Sequence, residues 1–162
     1  MGNPKKNQYK NQFEYFFPLP KSSEVLLAIG EIDCRLSEGI IDHIKKFPQK
    51  DLEGTIRNTV SKYLTYVENN SVKCGHKIII QGVPCPNIDA KRYAQREVEQ
   101  LLELIKKLNY ELKNSSKAKG FRFMNSHELT DRGDGFSNAL WHIDDIHLSP
   151  NGFLEAWHKH IT

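Results

Sequence analysis

Long apolar runs are missing from the 162 residues: none approaches the roughly 20 consecutive apolar positions that a bilayer-spanning helix needs. The opening stretch MGNPKKNQYKNQ has basic residues but neither an apolar core nor a cleavage site, so it does not read as a secretory signal. Lys6 stands where a myristoylation signal needs Ser or Thr. Charge of one sign is scarce too. Twenty-three basic residues against 20 acidic ones leave a formal +3, too little to mark a nucleic-acid surface. The three cysteines, Cys34, Cys74 and Cys85, are odd in number, widely spaced and form no C-x-x-C pair. That fits a reduced, cytoplasmic setting better than a disulfide framework, and it gives no sign of structural zinc. Internal repeats and low-complexity tracts are absent as well.

What is present is an ordinary composition, 38% hydrophobic and 27% charged, sufficient for one domain with one core. Residues 1–12 are polar and are expected to form a flexible arm, leaving 13–162 as the domain. FEYFFPLP (13–20) is aromatic but ends in prolines, which suggests an edge strand or a segment laid over the core. EVLLAI (24–29), closed by Gly30, and KIIIQGV (77–83), stopped by Pro84 and Pro86, read as strands buried on both faces. Leu52, Ile56, Val60, Tyr63, Leu64 and Val67 step by three and four, predicting a helix over 51–69. The same stepping from Tyr93 through Val98, Leu101, Ile105, Leu108 and Leu112 predicts the longest helix, over 89–114. FRFMNS (121–126) follows Gly120 as a third strand, a loop spans 130–139, and a last helix covers Pro150–His160.

Strands alternating with long helices predict an α/β fold, a three-layer α/β/α sandwich of flavodoxin-like type with a mostly parallel sheet. Three clear strands make a thin sheet, and no catalytic or phosphate-binding turn follows an opening strand. The domain is therefore expected to be incomplete at its amino terminus.

Ligands of open parallel sheets bind beyond the carboxyl ends of the strands. Three segments converge there: Gly30-Glu31-Ile32-Asp33-Cys34-Arg35, Gly82-Val83-Pro84-Cys85-Pro86-Asn87, and His142-Ile143-Asp144-Asp145-Ile146-His147-Leu148-Ser149. In the last, Asp144 and His147 stand three apart just before a helix that Ser149, Pro150 and Gly152 help to begin. Two readings are open for that pair. The carboxylate orients the imidazole so that its other nitrogen serves as a general base, as in a Ser-His-Asp triad, or the pair merely caps and orients the helix. His142, Asp144, Asp145 and His147 also offer ligand types for a hard cation. No second cluster with ligand spacing supports that, so neither a metal nor another cofactor is expected.

From Glu24 to His160 the order of elements and motifs resembles the SGNH/GDSL hydrolase family: Gly-Glu-Ile-Asp-Cys-Arg after a strand, Pro-x-Pro after the next, and Asp-Asp-Ile-His-Leu-Ser-Pro-x-Gly before a closing helix. The resemblance implies an ester hydrolase or acyl-transfer ancestry, with Asp144 and His147 as the Asp-x-x-His block. Gly30 and Asp33 match the family's Gly-x-Asn-Asp block, while Ile32 replaces the Asn that helps form its oxyanion hole. The Gly-Glu-Ile-Asp-Cys-Arg variant is similar to a subgroup linked to polysaccharide or glycan modification, which suggests O-acetylated glycans as a substrate class. Backbone N–H groups near Gly30 or Gly82 are the expected oxyanion donors, and His142 lies in the same region.

The family's Gly-Asp-Ser nucleophile turn occurs nowhere in the chain. Ser22 and Ser23 precede their strand, and Ser37 and Ser149 are not on strained turns. Cys34 directly follows a strand and would be a nucleophile if His147 lowered its pKa, against the simpler reading of a small buried core residue. Arg35 either binds an anionic group, with Asp33 positioning the loop, or pairs internally with a carboxylate. Trp141 either stacks on a sugar or closes the core, whereas Trp157 is expected in the core. The functional expectation is ester hydrolysis or acyl transfer on a small molecule or glycan ester, without activity if the serine block is lacking. The alternative is a non-catalytic glycan- or protein-binding module. An open strand edge would favour a homodimer or a complementing amino-terminal chain.

Overall fold

A computed structural model describes residues 8–18 and 20–162. Helix α1 spans Gln8–Phe16, strand β1 Glu24–Ala28, α2 Gly39–Lys46, α3 Leu52–Cys74, and β2 Lys77–Gln81. Then come α4 (Gln95–Ala118), β3 (Arg122–Met124), the short α5 (Ser126–Thr130) and α6 (Pro150–His160). Of the arm expected over 1–12, Gln8–Gln12 belong to α1, and the rest lies outside the described residues.

The three strands form one parallel sheet in the order β1-β2-β3, with Val25 opposite Ile78 and Ile80 opposite Phe123. Because side chains alternate along a strand, each face meets a different layer. Val25, Leu27, Ile78 and Ile80 pack toward Ile56, Val60, Leu64, Leu104 and Leu108 of α3 and α4. Leu26, Ile79 and Met124 pack toward Phe153, Ala156 and Trp157 of α6. The result is the expected α/β/α sandwich, with the heavier helical layer on one side. Trp157 is in the core contact as anticipated.

Two expectations change. β2 is buried, with Ile79 and Ile80 fully enclosed, but β1 is only half-buried along its length. Among the described residues it has one neighbour rather than two. Of the two readings of the 13–20 stretch, the strand gives way and the segment laid over the core holds: through Phe16 it belongs to α1, and Phe13 and Phe17 pack on the core. The helical step from Phe13 to Phe17 stacks their rings at 4.5 Å, and Phe13 also lies against Tyr66 of α3. His76 fixes this corner by accepting from Ser23 N–H at Nδ1 and bonding the Phe17 carbonyl through Nε2. Pro18 and Pro20 come after the helix has ended, where they cost it nothing.

Candidate active site

The loop before α6 shapes itself. Asp144 Oδ1 accepts from the N–H of Ile146 at 2.8 Å and of His147 at 2.6 Å, an Asx-type turn. Ile143 N–H bonds the His147 carbonyl at 3.0 Å, and His142 and Leu148 form a bridge across the loop. Ser149 then caps α6 by accepting from Gly152 N–H at 3.0 Å. Helix capping is thus Ser149's task, which frees the Asp144 carboxylate's second oxygen.

That oxygen, Oδ2, meets His147 Nδ1 at 2.8 Å. The bond assigns the proton to Nδ1 and leaves the Nε2 lone pair outward, the tautomer a general base requires. The His147 N–H, the His147 ring and the Ile146 N–H together hold the Asp144 carboxyl well below its ordinary range, at about 2. Asn87 anchors the loop to the segment leaving β2: its N–H reaches the Asp145 carbonyl and its amide the Asp144 carbonyl, both at 3.1 Å.

Beside the dyad lies a cavity of about 160 Å³, walled by Ala28 at the end of β1, Ile29 and Glu31 after it, Gly82 and Val83 after β2, and His147. A larger, mostly apolar cavity of about 320 Å³ adjoins it and includes Leu36, Tyr93 and Ile105. Glu31, Val83, Pro84 and Ile146 line both. His147, Glu31 and Gly82 are therefore brought together at the carboxyl edge of the sheet, where the sequence placed them. Gly30, at φ +100°, turns the chain out of β1 in a conformation that side chains disfavour.

Other candidates have different tasks. Arg35 is clasped by Glu31 through two bonds, at 2.7 and 2.9 Å, and by Glu38 at 2.6 Å, so the internal pairing holds and no donor fork faces an anion. Those bonds push its already high pKa further up. Asp33 lines a separate depression with Gly39, His43 and Asp51, because the tight turn over Ile32–Cys34 carries it to the α2 side. Burial raises its pKa, and Glu31 adds to the effect. Cys34 is 6% exposed, and burial pushes its thiol far up, with Asp33 and Glu31 acting in the same sense. It packs as a core residue, not an activated nucleophile.

Gly82 cannot supply an oxyanion donor, since its N–H is bonded to the Met124 carbonyl at 2.9 Å. The next N–H, of Val83, is taken by Asn109 Oδ1 at 2.8 Å. Gly82 is instead a packing glycine: a Cβ there would fall 2.8 Å from both Asn109 Oδ1 and Phe123 Cζ. His142 does not line the cavity; its Nδ1 lies 2.9 Å from Ser137 Oγ, and burial lowers its pKa. Sequence reasoning missed this Ser–His contact, yet Ser137 is 5% exposed and closed to a substrate. It also missed Asn109, whose signal was a lone amide within the apolar stripe of the longest helix. Among the described residues, the 142–147 cluster does not converge into a metal-ligand set.

Among solved structures, the chain is similar to a GDSL-like lipase from Bacteroides thetaiotaomicron, with a TM-score of 0.57 and 18% sequence identity. The fold is GDSL-like. The likeness covers 85% of this chain and 59% of the lipase chain. The present chain therefore accounts for less than two thirds of that structure's length. No protein-family model and no curated protein matches the sequence. Among the described residues, no helix is long and apolar enough to cross a membrane.

Proposed function

We propose that the chain is an SGNH-type domain for ester hydrolysis or acyl transfer, with His147 as its general base. The reading is carried by the 2.8 Å Asp144–His147 contact, set on the wall of a cavity beyond the strand ends. An attacking hydroxyl, from water or a serine, gives its proton to His147 Nε2 while its oxygen bonds the ester carbonyl carbon. The carbonyl electrons move to oxygen, and the backbone at Gly30–Glu31 is the segment available to meet that charge. Collapse breaks the ester C–O bond, and His147 returns its proton to the departing alkoxide. Asp144 holds the ring in the required tautomer and steadies the imidazolium. The small cavity beside His147 suits a short acyl group, and the Gly30–Arg35 block supports an O-acetylated glycan as the alcohol part. A cytoplasmic setting belongs to the same proposal, supported by three free thiols.

The test is turnover of p-nitrophenyl acetate by the wild type, His147→Ala and Asp144→Asn, together with fluorophosphonate labelling and mass spectrometry. Each substitution is expected to lower kcat/KM by about 10²–10⁴-fold. An adduct identifies a serine as the nucleophile; turnover without an adduct identifies water. Turnover indifferent to His147→Ala refutes the proposal. Neither turnover nor adduct from folded protein makes the chain a non-catalytic module.

A further inference from the structure

Outside the His147 cavity, among the described residues, one group of side chains gathers three different metal-ligating atoms. Cys85 Sγ, a ring nitrogen of His127 and a carboxylate oxygen of Asp131 all lie within 4.8 Å of one another. Around a tetrahedral zinc ion with bonds of about 2.0–2.3 Å, ligand atoms sit roughly 3.3–3.8 Å apart. Closing the gap takes about 1 Å, within reach of side-chain rotation. We propose that Cys85, His127 and Asp131 form a binding site for a zinc-like divalent cation, with water in the fourth position.

The donor set fits that ion class. Thiolate, imidazole and carboxylate together are a borderline-soft set, which suits zinc rather than magnesium or calcium. Thiolate and carboxylate carry two negative charges, so a divalent ion leaves a neutral group where Cys85 is buried and His127 and Asp131 are half-buried. The carboxylate has not spent its charge elsewhere: the neighbouring Arg132 is forked onto Asp134, at 2.9 and 3.1 Å from Nε and 2.9 Å from its outer nitrogen. Burial lowers the His127 pKa; of its charged neighbours Asp131 opposes that shift and Lys106 adds to it.

The ligands are also held in place by outer hydrogen bonds, as metal ligands usually are. Cys85 N–H bonds Thr130 Oγ1 at 2.9 Å, tying the turn after β2 to α5. His127 and Asp131 stand one helical turn apart, with Asp131 N–H on the His127 carbonyl at 2.9 Å. Asp131 Oδ1 accepts from Gly133 and Gly135 N–H at 2.8 and 3.0 Å. Binding would replace the Cys85 thiol proton by the metal and release it to solvent. The ion's charge reverses the preference for the thiol form that burial imposes. The site would pin α5 to the segment that walls the His147 cavity, and it stands independently of the hydrolase proposal.

The metal-free chain is titrated with zinc and with cobalt, following stoichiometry, proton release and near-ultraviolet absorption. One ion per chain, about one proton released and a thiolate-to-cobalt charge-transfer band are expected. Cys85→Ser should abolish the band, whereas Cys34→Ser and Cys74→Ser retain it. His127→Gln should weaken zinc binding by at least about 100-fold, since even outer-sphere losses cost 10–100-fold. If Cys85→Ser fails to fold, His127→Gln decides: wild-type zinc affinity in that variant overturns the site. So does the absence of stoichiometric binding, or a band that follows Cys34 or Cys74.

Discussion

Asn109→Ala should be among the most damaging single changes outside the aliphatic core. Asn109 is 7% exposed on α4, and its amide pairs with both backbone groups of Val83: Oδ1 accepts from the N–H at 2.8 Å, and Nδ2 donates to the carbonyl at 2.9 Å. Val83 is itself 5% exposed, so water does not readily replace those partners. Truncation leaves two buried backbone groups unpaired, each costing about 1–3 kcal/mol. With partial relaxation the loss should be about 3–4 kcal/mol, a large share of the roughly 5–15 kcal/mol that stabilises a domain. At about 2–4 °C per kcal/mol for a chain of this size, Tm should fall by roughly 6–16 °C. Urea unfolding of the wild type, Asn109→Ala and Asn109→Leu gives the free energies at comparable m values. Leucine has the same branched outline and a somewhat larger volume but makes neither bond, so it should cost within about 1 kcal/mol of alanine. Wild-type stability in Asn109→Leu would show that space, not hydrogen bonding, is what Asn109 supplies.

Three further outcomes follow from the same geometry. The Asp144 carboxyl, held at about 2 against an ordinary 3.8, favours the folded loop fully above pH 3.8 and loses that contribution as pH falls through about 2. A carboxyl-carbon NMR titration should therefore find its midpoint near the lower value; a midpoint at 3.8 would mean the His147 contact does not persist in solution. Native Cys34 should alkylate on the order of 100-fold more slowly than the same thiol in the unfolded chain, because burial disfavours its thiolate. Mass spectrometry after timed iodoacetamide treatment measures this, and equal rates would restore Cys34 as a nucleophile. Gly30→Ala places a Cβ at φ +100°, 3.3 Å from Val83 Cγ2, and should cost about 1–3 kcal/mol. An unchanged Tm would show that the turn relaxes freely.

The parts of the fold that were legible are those whose signals are local. The boundaries of α6 came directly from Ser149, Pro150 and the stepping of Phe153 to Trp157, because a cap and a stripe need no distant partner. Asp144 and His147 were legible for the same reason: three residues apart, they make their own turn. β1 was harder, since EVLLA looks like a central strand and only the sheet order shows that, among the described residues, it has a single neighbour. The aromatic run at 13–17 fits a strand as well as a helix until Tyr66 and His76, more than 50 residues away, decide which face is buried. Arg35 could have been assigned from spacing alone, with Glu31 four before it and Glu38 three after. The Cys85–His127–Asp131 group was out of reach, because only its last two members share a local spacing.

The extended segment after β2 explains why so much of the site depends on residues that never face the cavity. It leaves the sheet at Gln81, yet its backbone groups must still be satisfied. Gly82 donates to Met124, Val83 pairs with Asn109, Cys85 donates to Thr130, the Pro86 carbonyl accepts from Ser137, and Asn87 holds Asp144 and Asp145. Five successive anchors thus belong to five different elements: β3, α4, α5, the 131–139 loop and the dyad loop. Proline at 84 and 86 fits this path, since neither position is asked for an N–H. A rigid exposed dyad follows. His147 is 61% exposed at its side chain and would wander on an unsupported loop, but its turn is held by Asn87, and Asn87 sits at the end of a segment fixed at nearly every residue. Stability and site geometry are therefore coupled through residues 82–87, so a variant that loosens this segment should disturb the dyad without touching either of its members.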